Sequence, residues 1–392
     1  MLSIKPFEKP IYVMRPLLPE IGSFIDKMRQ VWDSGWLTNR GPQHQQLEES
    51  LKRVLKIPHV SLFNNGTIAM IVACQSLRLS GEVITTPFTF PATPHVLSWN
   101  GIKPTFCDID PITMNIDPAR IESLITPQTT AILAVHVFGT PCDVIKIQEM
   151  ADRYGLKVVY DAAHAFGVEI NGRGIGEFGD ASMFSFHATK LFHTAEGGAV
   201  AVKNDQLKTR IDLLQNFGIK NEEEVIMPGI NGKMNELQAA MGLAVLDYIE
   251  EERGKRQKLF KAYCRFLEGV NGISICDNNG KNKEDGIKKS YQYFVIRIDE
   301  NKFGKSRDEV YEMFKKFNVF TRKYFYPLCS DYACYSQLPS SRESNLPVAH
   351  KVVKEVLCLP FYGGLGIDDV ERICMILKSF QSSIKVNAVV SS

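Results

Sequence analysis

Short apolar runs recur through the first half of the chain: VSLF at Val60, EVITT at Glu82, KPTFCDI at Lys103, AILAVHVF at Ala131, KVVYDA at Lys157, ASMFSFH at Ala181 and GAVAV at Gly198. Runs this short and this rich in Val, Ile and Phe read as strands covered on both faces. Between several of them the apolar positions change to a helical spacing. Leu47, Leu51, Val54 and Leu55 mark one buried helix face. Asp117 followed by Pro118 is an N-cap with proline in the first turn. Val144, Ile147, Met150, Ala151 and Tyr154 form another stripe, which stops at Gly155. Strands alternating with helices predict an α/β fold built on a mixed, mostly parallel sheet. The connection between the ASMFSFH and GAVAV runs is too short for an ordinary helix, so these two strands are expected to be antiparallel neighbours.

The pattern changes in the last third. A long helix is expected from Asn235, with Leu237, Met241, Val245 and Ile249 spaced by four, and its charged continuation EEERGKRQK suggests passage to a second domain. Residues 276–290 are polar and rich in Gly and Asn, as an exposed loop would be. A strand YQYFVIRI, a helix with the Ser306-x-x-Glu309 capping box and a final helix opening at Asp368-x-x-Glu371 complete a smaller α+β domain. The tail from Ser382 is expected to fray. The N-terminal segment reads as irregular up to Pro42, a surface loop or a lid. The expected division is therefore 1–42 as N-terminal segment, 43–250 as large ligand-binding domain and 251–392 as small C-terminal domain.

Composition narrows the partners. A formal net charge of +2 on 392 residues gives no electrostatic case for nucleic acid or an anionic membrane. No apolar run approaches the roughly 18 residues needed to span a bilayer, and the first residues carry charge and proline where a signal peptide needs an apolar block. Nine dispersed cysteines without a CxxC pair read as reduced thiols in a cytoplasmic protein. Without HExxH or a Cys/His cluster, no metal is expected.

Candidate chemistry centres on SFHATKLFHTAEGGAV, residues 185–200, a turn between two strands carrying the single amine of Lys190. A lysine in a turn is ordinarily solvated. In parallel α/β sheets, however, ligands bind at the carboxyl ends of strands, and the polar groups at those ends form a coherent set. Asn64-Asn65-Gly66-Thr67 leads into a helix and offers free N–H groups to a phosphate. Pro87-Phe88-Thr89-Phe90 brings aromatic rings; Asp161 and His164 follow one strand, Ser185, His187 and Lys190 another. Pyridoxal 5'-phosphate uses all of these at once. Its aldehyde takes a lysine amine, its ring nitrogen needs a buried carboxylate, its phosphate needs donors and its flat ring needs a stacking partner. A dinucleotide enzyme would show G-x-G-x-x-G after the first strand, and neither that motif nor a P-loop is present.

The segments NNGTIAM, EVITTPFTFPATPHVL, CDIDPITMNIDP, VVYDAAHAFG, SFHATKLFHTAEGGAV and GINGKMNELQAA occur in the order of the DegT/StrS family of pyridoxal-phosphate sugar aminotransferases, which the chain resembles from about Leu37 to Leu246. The resemblance implies a fold-type I enzyme with a seven-stranded mixed sheet, a smaller C-terminal domain and a homodimer with shared active sites. It makes Lys190 the Schiff-base lysine and Asp161 the partner of the pyridine nitrogen. Phe90 becomes the stacking ring, and Gly66, Thr67, the Ile68 backbone and Ser185 the phosphate donors. Asn231 corresponds to the asparagine that reaches the phosphate from a neighbouring subunit. His164 stands where many members have glutamine, with a charge expected to titrate near neutral pH. Gly232-Lys233 stands where tyrosine and arginine are frequent. The wording HATKLFHTAEGGA is most similar to the viosamine-type subfamily. That implies transfer from L-glutamate, through pyridoxamine phosphate, to carbon 4 of dTDP-4-keto-6-deoxyglucose, for surface polysaccharide such as O-antigen. The rival readings are amination at carbon 3 and a non-catalytic cofactor-binding regulator; a dehydratase on this scaffold would carry histidine in place of Lys190. Trp36, Arg40, Lys220 and Tyr324 are candidate nucleotide-sugar contacts as aromatic or basic residues in expected loops, surface placement being the plainer alternative.

Overall fold

The computed structural model describes residues 4–276 and 286–381; most of the expected loop 276–290 and the tail from Ser382 lie outside the described residues. Seven strands form the central sheet: β1 (His59–Phe63), β2 (Glu82–Thr85), β3 (Lys103–Phe106), β4 (Thr129–Val135), β5 (Lys157–Asp161), β6 (Ala181–Ser185) and β7 (Gly198–Val202). Across the sheet they run β1-β7-β6-β5-β4-β2-β3. Strand β7 is antiparallel to both β1 and β6, and the remaining pairs are parallel. The mixed, mostly parallel sheet and the antiparallel β6–β7 pair are as the run lengths and the short connection required.

Both faces are covered, which is why the strands are apolar on both sides. On one face α3 (Gly66–Ser76), α4 (Ala92–Trp99) and α6 (Asp205–Leu214) enclose Met70, Leu97, Leu133, Val159 and Val200. Helix α3, GTIAMIVACQS, has apolar residues on nearly every side, as a helix sandwiched between a sheet and other helices needs. On the other face, α5 (Val144–Tyr154) buries Val144, Ile147 and Ala151 against Ile132, Val158 and Tyr160. Burial of side chains such as Val144 and Ile147 contributes roughly 1.5–3 kcal/mol each. Asp143 caps α5 by accepting from Lys146 N–H at 3.1 Å, and Gly155 ends it at φ 65°.

The sequence expectations fail at three helix boundaries. The segment before Pro42 is not irregular: it contains α1 (Ile21–Ser34), stopped by Gly35 at φ 63°. Ile21, Ile25 and Trp32 on this helix are largely exposed and only Val31 is fully buried. After α2 (Pro42–Leu55), the helix expected from Asn235 is two helices, α7 (Glu236–Leu246) and α8 (Ile249–Leu267), separated by a turn at Asp247 and Tyr248. The final helix starts at Ile367, where the Asp369 carboxylate accepts from Gly366 N–H at 3.2 Å, so the cap lies two residues before the expected box and is one-sided, glycine having no side chain to return the bond.

The C-terminal part is an antiparallel sheet of β8 (Ile273–Ile275), β9 (Phe294–Ile298) and β10 (Val356–Leu359) packed on α8, α9 (Arg307–Lys315) and α11 (Ile367–Ser379), with α10 (Pro347–Glu355) leading into β10. The capping box at α9 forms as expected, Ser306 Oγ accepting from Glu309 N–H and Glu309 accepting from Ser306 N–H. Phe7 is buried in this core beside Tyr263, Phe294, Phe314 and Ile373, and residues 11–12 pair in parallel with 319–320. A further apolar cluster joins this part to the central sheet. Phe88, Phe106 and Val135 meet Tyr293, Val295, Phe325 and Val356 near the carboxyl ends of β2, β3 and β4.

Candidate active site

Lys190 lies on the turn from β6 to β7, and its immediate neighbours fasten that turn. Phe186, Leu191 and Phe192 are wholly buried, with the Phe166 and Phe192 rings stacked at 4.6 Å and Phe186 edge-on to Phe192 at 4.8 Å. Lys190 N–H donates to His187 O, Thr194 N–H to Phe186 O and Phe186 N–H to Gly197 O. A side chain at Gly197 would collide with Thr194 Oγ1, so the GG step is a packing requirement. Gln292 closes the turn from outside: Leu191 N–H donates to its Oε1 at 2.7 Å, and its Nε2 donates to Thr189 O at 3.0 Å. The Lys190 amine itself has no hydrogen bond or ion pair among the described residues.

Asp161 ends β5 almost fully buried, which pushes its carboxyl group upward. Opposing that shift are donations from Ala163 N–H at 3.0 Å and Thr93 Oγ1 at 2.8 Å, and the charge of Lys190. Burial pulls the Lys190 amine down to about 8, against the Asp161 charge, which raises it. The two groups therefore lie in each other's field, at the carboxyl ends of adjacent parallel strands. Thr93 was missed in the sequence; the only signal was its place in the first turn of the helix after β2.

His164 is buried, its ring nearly parallel to Phe138 and Phe325 and edge-on to Tyr293 at 5.0 Å. Its Nδ1 has no partner among the described residues. The expectation that it titrates near neutral pH is corrected here. Desolvation by this aromatic box, reinforced by the nearby Lys190 charge, holds it well below the ordinary imidazole value, so it is neutral there.

The phosphate candidates converge. A Cβ on Gly198 would stand 2.6 Å from Gly66 N, so glycine lets the start of α3 rest on β7, and a Cβ on Gly66 would meet Ser185 Cα at 3.3 Å. As the first residues of α3, Gly66 and Thr67 have N–H groups without intrahelical acceptors. The Ile68 backbone differs from expectation: its N–H donates to the Asn65 cap at 2.9 Å and is already satisfied. Ser185 is part-buried. The two phenylalanines after β2 separate completely, Phe88 being 0% exposed in the core and Phe90 55% exposed. Asn231 is exposed, its backbone bridged to Asn216, and the adjacent Gly232 carbonyl accepts from Asn64 N–H.

The four substrate candidates scatter. Arg40, in the loop before α2, is part-exposed and ion-paired, 2.6 Å from Asp212 and 3.3 Å from Glu48. Lys220 is exposed and paired with Glu224. Trp36 is half-exposed above Gly41. Tyr324 alone joins the site, edge-on to Tyr293 at 5.5 Å, next to the His164 box. Lys233 donates to Asn216 Oδ1 at 2.6 Å.

These residues fit pyridoxal phosphate on grounds of their own. They present, among the described residues, an unpartnered amine within the field of a buried carboxylate, a large apolar ring left exposed, an orphaned His164 Nδ1 and a helix start whose seat on β7 requires the glycine at 198. Comparison with known proteins agrees. Residues 20–378 match the DegT/DnrJ/EryC1/StrS aminotransferase family. The chain is 46% identical to a dTDP-4-amino-4,6-dideoxy-D-glucose transaminase of Escherichia coli, covering 94% of this chain and 98% of that one. It is 44% identical to the protein of that name from Shigella dysenteriae, covering 95% and 100%. The crystal structure of DesI in the presence of its TDP-sugar product superposes with a TM-score of 0.90 at 36% identity, over 96% of this chain and 94% of that one.

Proposed function

The chain belongs to the DegT/DnrJ/EryC1/StrS aminotransferase family, and we propose that it moves the amino group of L-glutamate to carbon 4 of dTDP-4-keto-6-deoxyglucose, giving 2-oxoglutarate and the 4-amino-4,6-dideoxy sugar nucleotide. Enzymes of this family are pyridoxal-phosphate-dependent sugar aminotransferases, and so is this one. The observation that carries the site reading is the Lys190 amine, drawn down to about 8 with no direct partner and facing the field of Asp161. The sugar assignment rests on the near full-length likeness to the two transaminases of that name.

When bound, the cofactor supplies an electron sink next to the carbon that loses its proton. Lys190 is the amine that holds its aldehyde. Displaced by the amino donor, Lys190 Nζ is the base that takes the proton from the donor's α-carbon. In the second half-reaction it is the acid that delivers a proton to sugar carbon 4. An amine near 8 suits both duties, because its two protonation states interchange around neutral pH. Asp161 keeps a proton on the facing ring nitrogen, held in place by Thr93 and Ala163. Phe90 covers the ring, and neutral His164 lends its free Nδ1 to a ring substituent. Gly66, Thr67 and Ser185 receive the phosphate.

A homodimer is part of the proposal. Trp32, Trp36, Leu37, Phe217, Val225 and Ile226 are all at least 48% exposed, an apolar surface that a second copy would cover while Asn231 reaches its phosphate site. No described helix is long and apolar enough to cross a membrane, and none of the nine cysteines forms a disulfide among the described residues, which supports a reducing, cytoplasmic setting. To test the reaction, the protein is incubated with glutamate and either the 3-keto or the 4-keto dTDP-6-deoxyhexose, and the new amine is located by NMR. Amination only at carbon 3 would refute the carbon-4 assignment, and no amination of either would refute the substrate class.

A further inference from the structure

Three residues of one strip of the C-terminal part, Ser290, Gln292 and Tyr293, converge on the site from outside the central sheet. Ser290 Oγ donates to His164 O at 2.8 Å, and Tyr293 stands edge-on to the His164 ring. Gln292 spans the Lys190 turn, accepting from Leu191 N–H on one side of the lysine and donating to Thr189 O on the other. Its side chain is 1% exposed, so water does not substitute readily for either bond. Behind it lies Arg256, wholly buried, whose guanidinium donates to the Tyr291 and Gln292 carbonyls at 3.4 and 3.5 Å and to Glu252 at 2.6 Å. Glu252 in turn accepts from Gly363 N–H at 2.9 Å. A buried ion pair without an apolar substitute is costly, and this one has its hydrogen bonds directed at the strip that touches the lysine turn.

We propose that Gln292, seated by the buried Arg256–Glu252 pair, is the positioning residue for Lys190. On this assignment it fixes the backbone on both sides of the lysine, so that the amine meets the cofactor aldehyde without a search over turn conformations. The chemical steps stay with Lys190, and Gln292 touches neither cofactor nor substrate. The assignment rests on Lys190 being the cofactor-holding amine. It also makes the C-terminal part a component of the cofactor site.

The test uses the full-length protein, stripped of pyridoxal phosphate and refilled. Gln292→Met keeps the shape of the side chain and deletes both bonds. It is expected to weaken cofactor retention roughly 10-fold, and to lower kcat while KM for the sugar nucleotide stays near its original value. Borohydride trapping of the refilled protein, located by mass spectrometry, is expected to slow at Lys190. Gln292→Glu preserves the acceptor for Leu191 N–H and is expected to lose only about 3-fold, and it carries the test if the methionine variant does not fold. Tyr263→Phe is the control for general destabilisation, because it removes a buried hydrogen bond to Pro360 O from the same C-terminal core. Unchanged retention and trapping in the Gln292 variants, or an equal loss in Tyr263→Phe, overturns the proposal. Trapping of the unsubstituted protein at a different lysine overturns the Lys190 reading itself, and this proposal with it. Trapping at Lys190 with indifferent Gln292 variants overturns only the role of Gln292.

Discussion

Two groups of charge sit beside the central sheet, and they are built on opposite plans. In the first, Arg40 and Lys208 each contact both Glu48 and Asp212, four cation–anion contacts at distances of 2.6 to 3.3 Å, with Ser61 donating to Asp212 at 2.7 Å. Each charge has a counter-charge in contact. In the second, Asp161 is supplied with donors by Thr93 and Ala163, but Lys190 has no direct partner and relies on the carboxylate's field alone. Full pairing ties β1, α2 and α6 together and leaves nothing to react. Withholding the partner leaves an amine whose charged form is poorly supported, and such an amine is a nucleophile and a base. Burial of charge thus serves position in one cluster and reactivity in the other.

The comparison can be broken most directly at the lysine. Lys190→Ala is expected to lower turnover by at least roughly 1,000-fold and to remove the visible absorbance of the cofactor-loaded protein. Appreciable turnover in that variant would make Lys190 as structural as Lys208. The next effect is pH dependence. The folded value near 8 lies below the ordinary lysine value of 10.5, so the cofactor-free folded protein binds fewer protons than the unfolded chain between them. Its stability should therefore rise with pH across that window, and the rise should vanish in Lys190→Ala. Stopped-flow refilling should accelerate about tenfold per pH unit until about pH 8 and then level off.

Arg40→Ala sharpens the other side. It strands Glu48 and Asp212 beside Lys208 alone, and should destabilise the protein by about 1–3 kcal/mol in urea unfolding, the arginine being partly solvated. Cofactor affinity should hold, and a large loss of sugar-nucleotide affinity would return Arg40 to the substrate. Thr93→Val takes one donor from Asp161, so its carboxyl should move further upward and cofactor retention should fall about 5-fold by absorbance titration. Smallest is Phe90→Ala, expected to weaken retention only about 2-fold with little change in melting temperature, because its ring is already in solvent.

Much of the fold was legible because its signals are local. All seven central strands declared themselves by short β-branched and aromatic runs, and the antiparallel β6–β7 pair by the length of its connection. Helix α5 was readable from Asp143 to Gly155 since both caps are local bonds. Helix α1 was missed although Ile21, Phe24, Ile25, Met28 and Val31 carry helical spacing, because Gly- and Pro-containing stretches around it dominated the reading. The break at Asp247 escaped because the apolar period runs across it unbroken. At the site, Lys190, Asp161 and Gly66 could be picked out as strand-end residues of the right chemistry. Ile68 could not be judged, since only the structure reveals that Asn65 takes its N–H.

From its residues alone, then, the chain dictates alternating strands and helices and the amine, carboxylate and glycine turn at their ends. Periodicity, capping and turn chemistry act over a few residues and leave a direct trace. The tertiary structure decides which of those groups face each other and under what protection. Phe88 goes to the core and Phe90 to the surface, two positions apart in sequence. Thr93 reaches Asp161 across 68 residues, Gln292 reaches the lysine turn across 101, and Arg40 is claimed by Asp212 across 172. Desolvation and field strength depend on everything packed around a group. That is why a neutral His164 and an amine near 8 belong to the folded protein and to no stretch of its sequence.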